Sequence, residues 1–134
     1  MPKYRTVDTA STFIGWGKLE QQVELEVLTF EPAGGRDFNN NPCPRVVGTL
    51  MADCDNYKDL RGDIERVKLK AGQQVTVEGG VENLRKGLLL VEPKRGDLLR
   101  LTYTDTYDTP QGKGKVIKVE HAPAGEGSVS EDVI

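Results

Sequence analysis

Positive and aromatic side chains are the residues of this 134-residue chain whose types and placement suggest a chemistry. Positive groups neutralise phosphates and aromatic rings stack on bases, and the two together hold single-stranded nucleic acid. The positive candidates lie in predicted turns, on the predicted helix and at outward strand positions: Arg36, Arg45, Arg85, Lys86, Lys94, Arg95, Arg100, Lys113 and Lys115. The aromatic candidates lie in predicted loops or turns: Trp16, Phe38, Tyr57 and Tyr107.

Three of the four aromatic candidates also have a structural alternative. Trp16 lies between Gly15 and Gly17 and fits a plug at one end of the core as well as it fits a stacking platform. Phe38, which has polar neighbours, favours solvent contact over a loop anchor, and Tyr107 fits either role. Aromatic residues make up only 6% of the chain. Backbone charge would therefore dominate binding and make it strongly salt-dependent.

Catalytic chemistry is not predicted. The single histidine, His121, lies at the junction with the predicted tail, a poor position for a preorganised base, and the chain has no other histidine for the usual nucleophile–base arrangements. The Gly79-Gly80 pair lacks the spacing of a phosphate-binding loop, and the aspartates of 53–63 lack the glycine and closing glutamate of a calcium loop. Cys43 and Cys54 lack zinc-ligand spacing. We expect no catalytic residue, no metal and no cofactor.

Charge is unevenly distributed along the chain. Residues 1–57 carry −3, residues 58–118 carry +4 and residues 119–134 carry −4. A basic middle followed by an acidic end suggests a surface for an anion and a tail of opposite sign. No apolar run approaches the roughly 20 residues of a membrane span, and the N-terminal residues lack the apolar stretch of a secretory signal. We therefore expect a cytoplasmic protein.

Apolar periodicity predicts a mostly β chain with one short helix. Val23, Leu25 and Val27 alternate with glutamates, and the slip at Leu28 predicts a β-bulge. The predicted order is a strand (23–30), a long loop (31–44), a strand (45–52), a polar turn-rich segment (53–63), two strands (66–70 and 75–78), a helix (81–91), a strand (98–104), a long loop (105–114) and a strand (115–120).

This order predicts a five- to six-stranded OB-like barrel with the helix before the last two strands. In that fold the connections between strands 1–2 and 4–5 bind oligonucleotides, and the two long predicted loops fall in those places. We assign residues 1–121 to the domain, including an irregular N-terminal arm at 1–20. Residues 122–134 form a predicted flexible acidic tail.

The end of the sequence suggests a partner-binding segment. Glu131 and Asp132 precede Val133 and Ile134. An acidic segment followed by apolar residues suits a basic groove with an apolar pocket on a partner, and it could also fold back onto the basic face of its own domain. The alternative is a tail with neither role.

Several stretches resemble a known family. The segment 69–80 is similar to a hairpin of bacterial-type single-stranded DNA-binding proteins. Leu84-Arg-Lys, Pro93-Lys-Arg-Gly-Asp97, Leu99-x-Leu-Thr-Tyr103 and the Lys/Gly-rich stretch 109–115 resemble small OB-fold DNA-binding proteins of tailed bacteriophages. The resemblance implies a non-catalytic single-stranded DNA-binding protein of phage replication or recombination. It further implies a homo-oligomer in the host cell cytoplasm, with replication or recombination proteins bound through the acidic tail.

A second function stays open at this point. An OB-like module for protein–protein interaction, or a structural phage module without nucleic-acid binding, fits a body that is close to neutral over residues 1–118.

Overall fold

A curled six-stranded sheet forms a half-barrel around the core of the protein. The structure is a computed structural model and describes residues 12–37, 39–60 and 63–124. Its elements are β1 (Thr12–Phe13), β2 (Gln22–Arg36), β3 (Pro42–Leu50), β4 (Cys54–Leu60), β5 (Asp63–Leu69), β6 (Gln74–Glu78), α1 (Glu82–Val91), β7 (Leu98–Thr109) and β8 (Gly112–Ala122). Phe38 and the predicted tail residues Glu131, Asp132, Val133 and Ile134 lie outside the described residues.

The strands follow a Greek-key order. The six-stranded sheet runs β1-β6-β3-β2-β7-β8, and β4 and β5 pair in a separate two-stranded sheet. Strands β2, β3 and β6 are antiparallel neighbours, and β7 returns after α1 to lie on the other side of β2. A fourth strand that returns beside the first defines a Greek key. As predicted, the helix precedes the last two strands.

Strand β2 confirms the alternation that the sequence shows. Val23, Leu25 and Val27 are fully buried, whereas the glutamates between them lie on the outer face. The register with β3 shifts between Val27 and Thr29, which confirms the bulge predicted at Leu28. The curvature of the half-barrel therefore has a local cause in its longest strand.

Helix α1 covers the core on the side of β8. Leu84 and Leu88, one turn apart, are fully buried, and the helix packs against β8 and β3. Its end is set by Glu92, which adopts a left-handed conformation and donates its N–H to the Leu88 carbonyl. Within the described ranges no helix is long and apolar enough to cross a membrane.

Both predicted long loops are wrong, because strands occupy most of them. Strands β2 and β3 pair as far as Arg36 and Pro42, and β7 and β8 pair as far as Thr109 and Gly112. The backbone hydrogen-bond pairing between two strands can accommodate proline at the first residue of a strand and glycine at an irregularity in the register. The register shift between Glu31 and Gly35 is such an irregularity. Each predicted loop is therefore a two-stranded β-ribbon that ends in a short turn.

The predicted polar segment 53–63 is also wrong. Its residues form β4, which pairs with β5 from Cys54↔Leu69 to Leu60↔Asp63. Most of β5 is exposed, so this ribbon lacks the one-sided burial that gives a strand its apolar alternation. The polar sequence of this segment predicts turns for that reason.

Gly87 provides a test of the helix–strand packing. A Cβ at this position would lie 2.8 Å from Val119 Cγ2. Alanine in a helix interior gains about 1 kcal/mol over glycine by propensity, but overpacking costs about 1 to 3 kcal/mol. We expect Gly87→Ala to lower the free energy of unfolding by about 1 kcal/mol, measured by urea denaturation. Val119→Ala should cost less in the Gly87→Ala background than in the wild type. A stabilised single variant would contradict the close contact.

Candidate functional site

The open side of the half-barrel contains a cleft between the end of β6 and the first residues of β8. We call it the β6–β8 cleft. It has a volume of about 360 Å³, and its lining includes Phe13, Trp16, Arg36, Asp37 and Lys115. Three predicted site residues, Trp16, Arg36 and Lys115, are thus brought together here.

The N-terminal side of the cleft is held by the side chain of Asn56. This fully buried amide donates to the Phe13 carbonyl at 3.0 Å and accepts the Gly15 N–H at 2.9 Å. The Ile14 N–H donates to the Thr76 carbonyl at 2.9 Å. Residues 12–16, predicted as irregular, therefore have one defined path beside β6.

Trp16 packs in the core instead of presenting its ring to solvent. Only 6% of the residue is exposed, and it belongs to the main apolar cluster. Gly15 and Gly17 lie against the backbone of Tyr57, an approach that side chains would block. The sequence leaves core packing and base stacking open for Trp16, and the structure shows core packing.

Phe13 is the aromatic residue that the cleft exposes, and the sequence-based candidates omitted it. Half of Phe13 is exposed, and the Arg45 guanidinium lies 5.9 Å from its ring centroid. Arg45 also pairs with Glu78 at 3.0 Å. The available signal was an aromatic residue next to Ile14 in a stretch that otherwise lacks apolar alternation.

The carboxylates around the cleft already have hydrogen-bond donors. Asp37 accepts the N–H groups of Asn39 and Asn41 at 2.9 and 2.8 Å. Glu78 accepts the Arg36 N–H at 3.0 Å and pairs with Arg45. The Arg36 side chain itself donates to the Gly35 carbonyl at 3.1 Å. Within the described part of the chain no carboxylate lies within 4.0 Å of the Arg36 guanidinium.

Lys115 connects β8 to the N-terminal segment. Its ammonium donates to the Trp16 carbonyl and lies 5.6 Å from the ring centroid of Tyr103. Tyr103 is a core residue, and burial, followed by the charge of Asp105, raises the pKa of its hydroxyl. One positive charge is therefore fixed at the β8 side of the cleft.

Cys43 is a free thiol within the β2–β3 ribbon, where it pairs with Gly35. It is almost completely buried. Burial first, then the charges of Glu78 and Asp37, raise the pKa of this thiol. It therefore stays protonated and unreactive at neutral pH.

The six predicted cations other than Arg36, Arg45 and Lys115 lie away from the cleft, and three of them, Lys86, Arg100 and Lys113, are paired with carboxylates. Lys86 bonds to Glu82 at 3.1 Å within α1. Arg100 makes a two-pronged contact with Glu120 at 2.9 and 2.8 Å, which raises the pKa of the guanidinium and lowers that of the carboxyl. A phosphate at Arg100 would have to displace Glu120. Arg85, on α1, is half-buried.

The remaining aromatic candidates also lie elsewhere. Tyr57 is in β4, and the Lys18 ammonium lies 5.3 Å from its ring centroid. Tyr107 faces Gly114 across the β7–β8 ribbon, its ring packs against that glycine, and 41% of it is exposed. In the same ribbon Lys113 is paired with Asp108. The cleft therefore includes neither tyrosine.

Lys94 and Arg95 lie in the turn before β7, which Asp97 organises. The buried carboxylate accepts the N–H groups of Lys94 and Ala124 at 2.9 Å each and bonds to His121 Nε2 at 2.8 Å. Burial alone would raise the pKa of Asp97, but the His121 bond and the two N–H bonds outweigh it, and the pKa lies below its ordinary value. The turn thus holds two exposed cations in place.

The side chains in the described ranges contain no group of three or more histidines, cysteines or carboxylates able to hold a metal ion. No protein-family model, curated protein or solved structure matches the chain.

Asp97 provides a test with a defined pH dependence. We expect Asp97→Asn to lower the free energy of unfolding at pH 7 by about 2 kcal/mol, because hydrogen bonds to a buried charge are worth about 1.5 to 3 kcal/mol. Folding lowers the pKa of Asp97. Its contribution is therefore complete above its unfolded pKa of about 3.9 and is lost as the pH falls through the folded pKa.

Denaturation of both proteins between pH 7 and about pH 2 measures this difference, which should shrink below about pH 4. Asp108→Asn is the matched control, because Asp108 is exposed and its pairing with Lys113 is at the surface. A difference that stays constant over the whole pH range would contradict the assigned role of the carboxylate.

Proposed function

We propose that this chain is a non-catalytic single-stranded DNA-binding protein and that the β6–β8 cleft is its contact site. One observation carries the proposal: a half-exposed aromatic ring, Phe13, lies in a cleft whose lining includes Arg36 and Lys115, with Arg45 over the ring. Stacking platforms next to positive charges are what single-stranded nucleic acid requires.

The strand order supports an OB-like arrangement. Strands β2, β3, β6, β7 and β8 form a five-stranded Greek-key sheet, and α1 lies between the third and fourth of them. An OB-fold is a five-stranded, partly open Greek-key barrel. The β4–β5 ribbon is then an insertion between its second and third strands.

The cleft lies close to the surface that an OB-fold uses. That surface is the face of strands 2 and 3 with the connections 1–2 and 4–5, which correspond here to β3, β6 and the turns of the two ribbons. Arg36 ends β2 just before the first turn, and Lys115 follows the second turn by a few residues. Phe13 pairs with Thr76 on β6. Fold and cleft therefore point to one ligand surface.

The cleft suits a short stretch of strand. A base stacked on Phe13 would gain about 1 to 3 kcal/mol, and Arg36 would neutralise a neighbouring phosphate. Affinity through one ring and few cations is modest and salt-dependent. Coating of longer strands would then require several copies, in keeping with the homo-oligomer that the family resemblance implies.

The biological setting of the proposal comes from the same resemblance. We propose a phage-encoded protein that acts in replication or recombination in the host cytoplasm and meets replication or recombination proteins through its acidic tail. The motifs of 69–80 and 93–103 support this part of the proposal.

The alternative is an OB-like interaction or structural module without nucleic-acid binding. The ion pairs favour it: Arg45, Lys86, Arg100 and Lys113 each have a carboxylate partner. These pairs reduce the positive potential that a phosphate backbone would meet. A binding measurement decides between the two functions.

Fluorescence anisotropy with labelled oligo-dT tests the proposed function directly. We expect binding at about 50 mM salt and a steep loss at about 200 mM, because phosphate neutralisation releases counterions. No binding at the lower salt concentration would contradict the proposal and favour the interaction module.

Two substitutions locate the site. Phe13→Ala should weaken binding by about 1 to 3 kcal/mol, at least about fivefold in Kd, whereas Leu19→Ala, which removes a similarly exposed side chain outside the cleft, should not. Arg36→Ala should reduce the salt slope by about 1, and Lys70→Ala, which removes an exposed lysine away from both the cleft and helix α1, serves as its control. Equal effects of Phe13→Ala and Leu19→Ala would place the contact elsewhere.

A further inference from the structure

A second concave surface lies between α1 and β8. We call it the α1–β8 groove. It has a volume of about 460 Å³, and its lining includes Lys86, Gly87 and Leu90 from the helix and Lys118 and Val119 from the strand. Gly87 brings the helix close to Val119 and leaves no side chain between the turns of the helix. The groove shares no lining residue with the β6–β8 cleft.

Leu90 gives the groove an exposed apolar rim. It is 87% exposed, the largest value among the exposed large apolar residues of the described chain. The two lysines of the groove are also exposed. Lys86 pairs with Glu82 at 3.1 Å and Lys118 with Glu120 at 4.0 Å. Surface pairs of this kind are weak and exchange readily, so the groove favours an occupant that is both apolar and acidic.

Residues 125–134 of the same chain have this composition. The segment carries Glu126, Glu131 and Asp132 together with Val129, Val133 and Ile134, and it has no lysine or arginine. Its acidic pair is directly followed by its apolar pair. These ten residues therefore contain apolar side chains that suit the rim at Leu90 and acidic side chains that suit the two lysines.

The point from which this segment leaves the domain is fixed. The Ala124 N–H donates to the Asp97 carboxylate at 2.9 Å, and Ala124 lies beside Gly96. Gly96 is six residues from Leu90, a path of at most about 21 Å, whereas ten extended residues span about 33 Å. The exposed cations Lys94 and Arg95 lie in the turn where the segment begins. The segment is therefore long enough to reach the groove.

We propose that residues 125–134 bind in the α1–β8 groove of their own chain. Val133 and Ile134 cover Leu90 and the surface left open at Gly87, and Glu131 and Asp132 lie near Lys86 and Lys118. The groove and the segment then shield each other's apolar side chains from water. A partner that takes residues 131–134 must first displace them from the groove.

Methyl NMR of the full-length chain tests the contact. Ile134 is one of four isoleucines, with Ile14, Ile64 and Ile117, so its δ1 methyl signal is readily assigned. We expect a nuclear Overhauser effect between this methyl and the methyls of Leu90. Leu90→Ala, which removes these methyls, should move the Ile134 signal to the position of an unstructured isoleucine. Leu89→Ala is the matched control, because Leu89 is exposed but does not line the groove.

Three results would overturn the proposal. The first is an Ile134 signal at the unstructured position in the wild type. The second is an Ile134 signal that responds equally to Leu90→Ala and Leu89→Ala. The third is a contact that appears between differently labelled copies in a mixed sample and grows with protein concentration, which would make a second copy the occupant. Because Leu90 is exposed, loss of folding does not confound the Leu90→Ala variant.

Discussion

Closure of the half-barrel between β6 and β8 depends on side chains instead of a strand ladder. In the described chain β1 and β8 are the two edges of the sheet. Asn56 holds the path of residues 13–15, and the Asn83 amide accepts the Ile117 N–H at 2.5 Å from the edge of β8. Lys115 spans the remaining distance to the Trp16 carbonyl. Buried polar groups need such partners, and the space that they leave is the β6–β8 cleft.

Local periodicity made part of this fold predictable. The alternation of Val23, Leu25 and Val27 and the spacing of Leu84 and Leu88 each reflect burial on one face, which the sequence records directly. The bulge at Leu28 was predictable for the same reason, because a change of phase is visible within one strand. In these elements the pattern of apolar residues within the segment itself determines which face is buried.

The two ribbons and the β4–β5 hairpin could not be predicted in this way. Residues 31–36 and 105–109 are strands because a partner strand satisfies their backbone, not because one face is apolar. Glycine and proline in those segments signal turns locally, yet the cross-strand hydrogen bonds outweigh that preference. Tyr107 over Gly114 shows the same dependence: the contact exists only once the register is set.

The candidate site shows a similar division between local and long-range information. The sequence identified Arg36 and Lys115 by charge, but it could not show that Arg100 faces Glu120 or that Arg45 faces Glu78, because strand register sets both pairs. The sequence does not indicate a role for Phe13, because the position of this residue depends on Asn56, which lies 43 residues away. The sequence shows which residues are positively charged, whereas the register of the sheet decides which of them are already paired with a carboxylate.

Strand β8 links the two surfaces, since Lys115 lines the cleft and Lys118 and Val119 line the groove. Adjacency alone does not couple two sites; coupling requires an element with two arrangements that both ligands favour differently. Between the two surfaces, Ile117 is buried, pairs with Tyr103 of β7 and donates its N–H to Asn83. This stretch of β8 is held on both edges. Occupants of the cleft and the groove should therefore bind independently, and the acidity of residues 125–134 would act on the cleft only through its charge, an effect that salt screens.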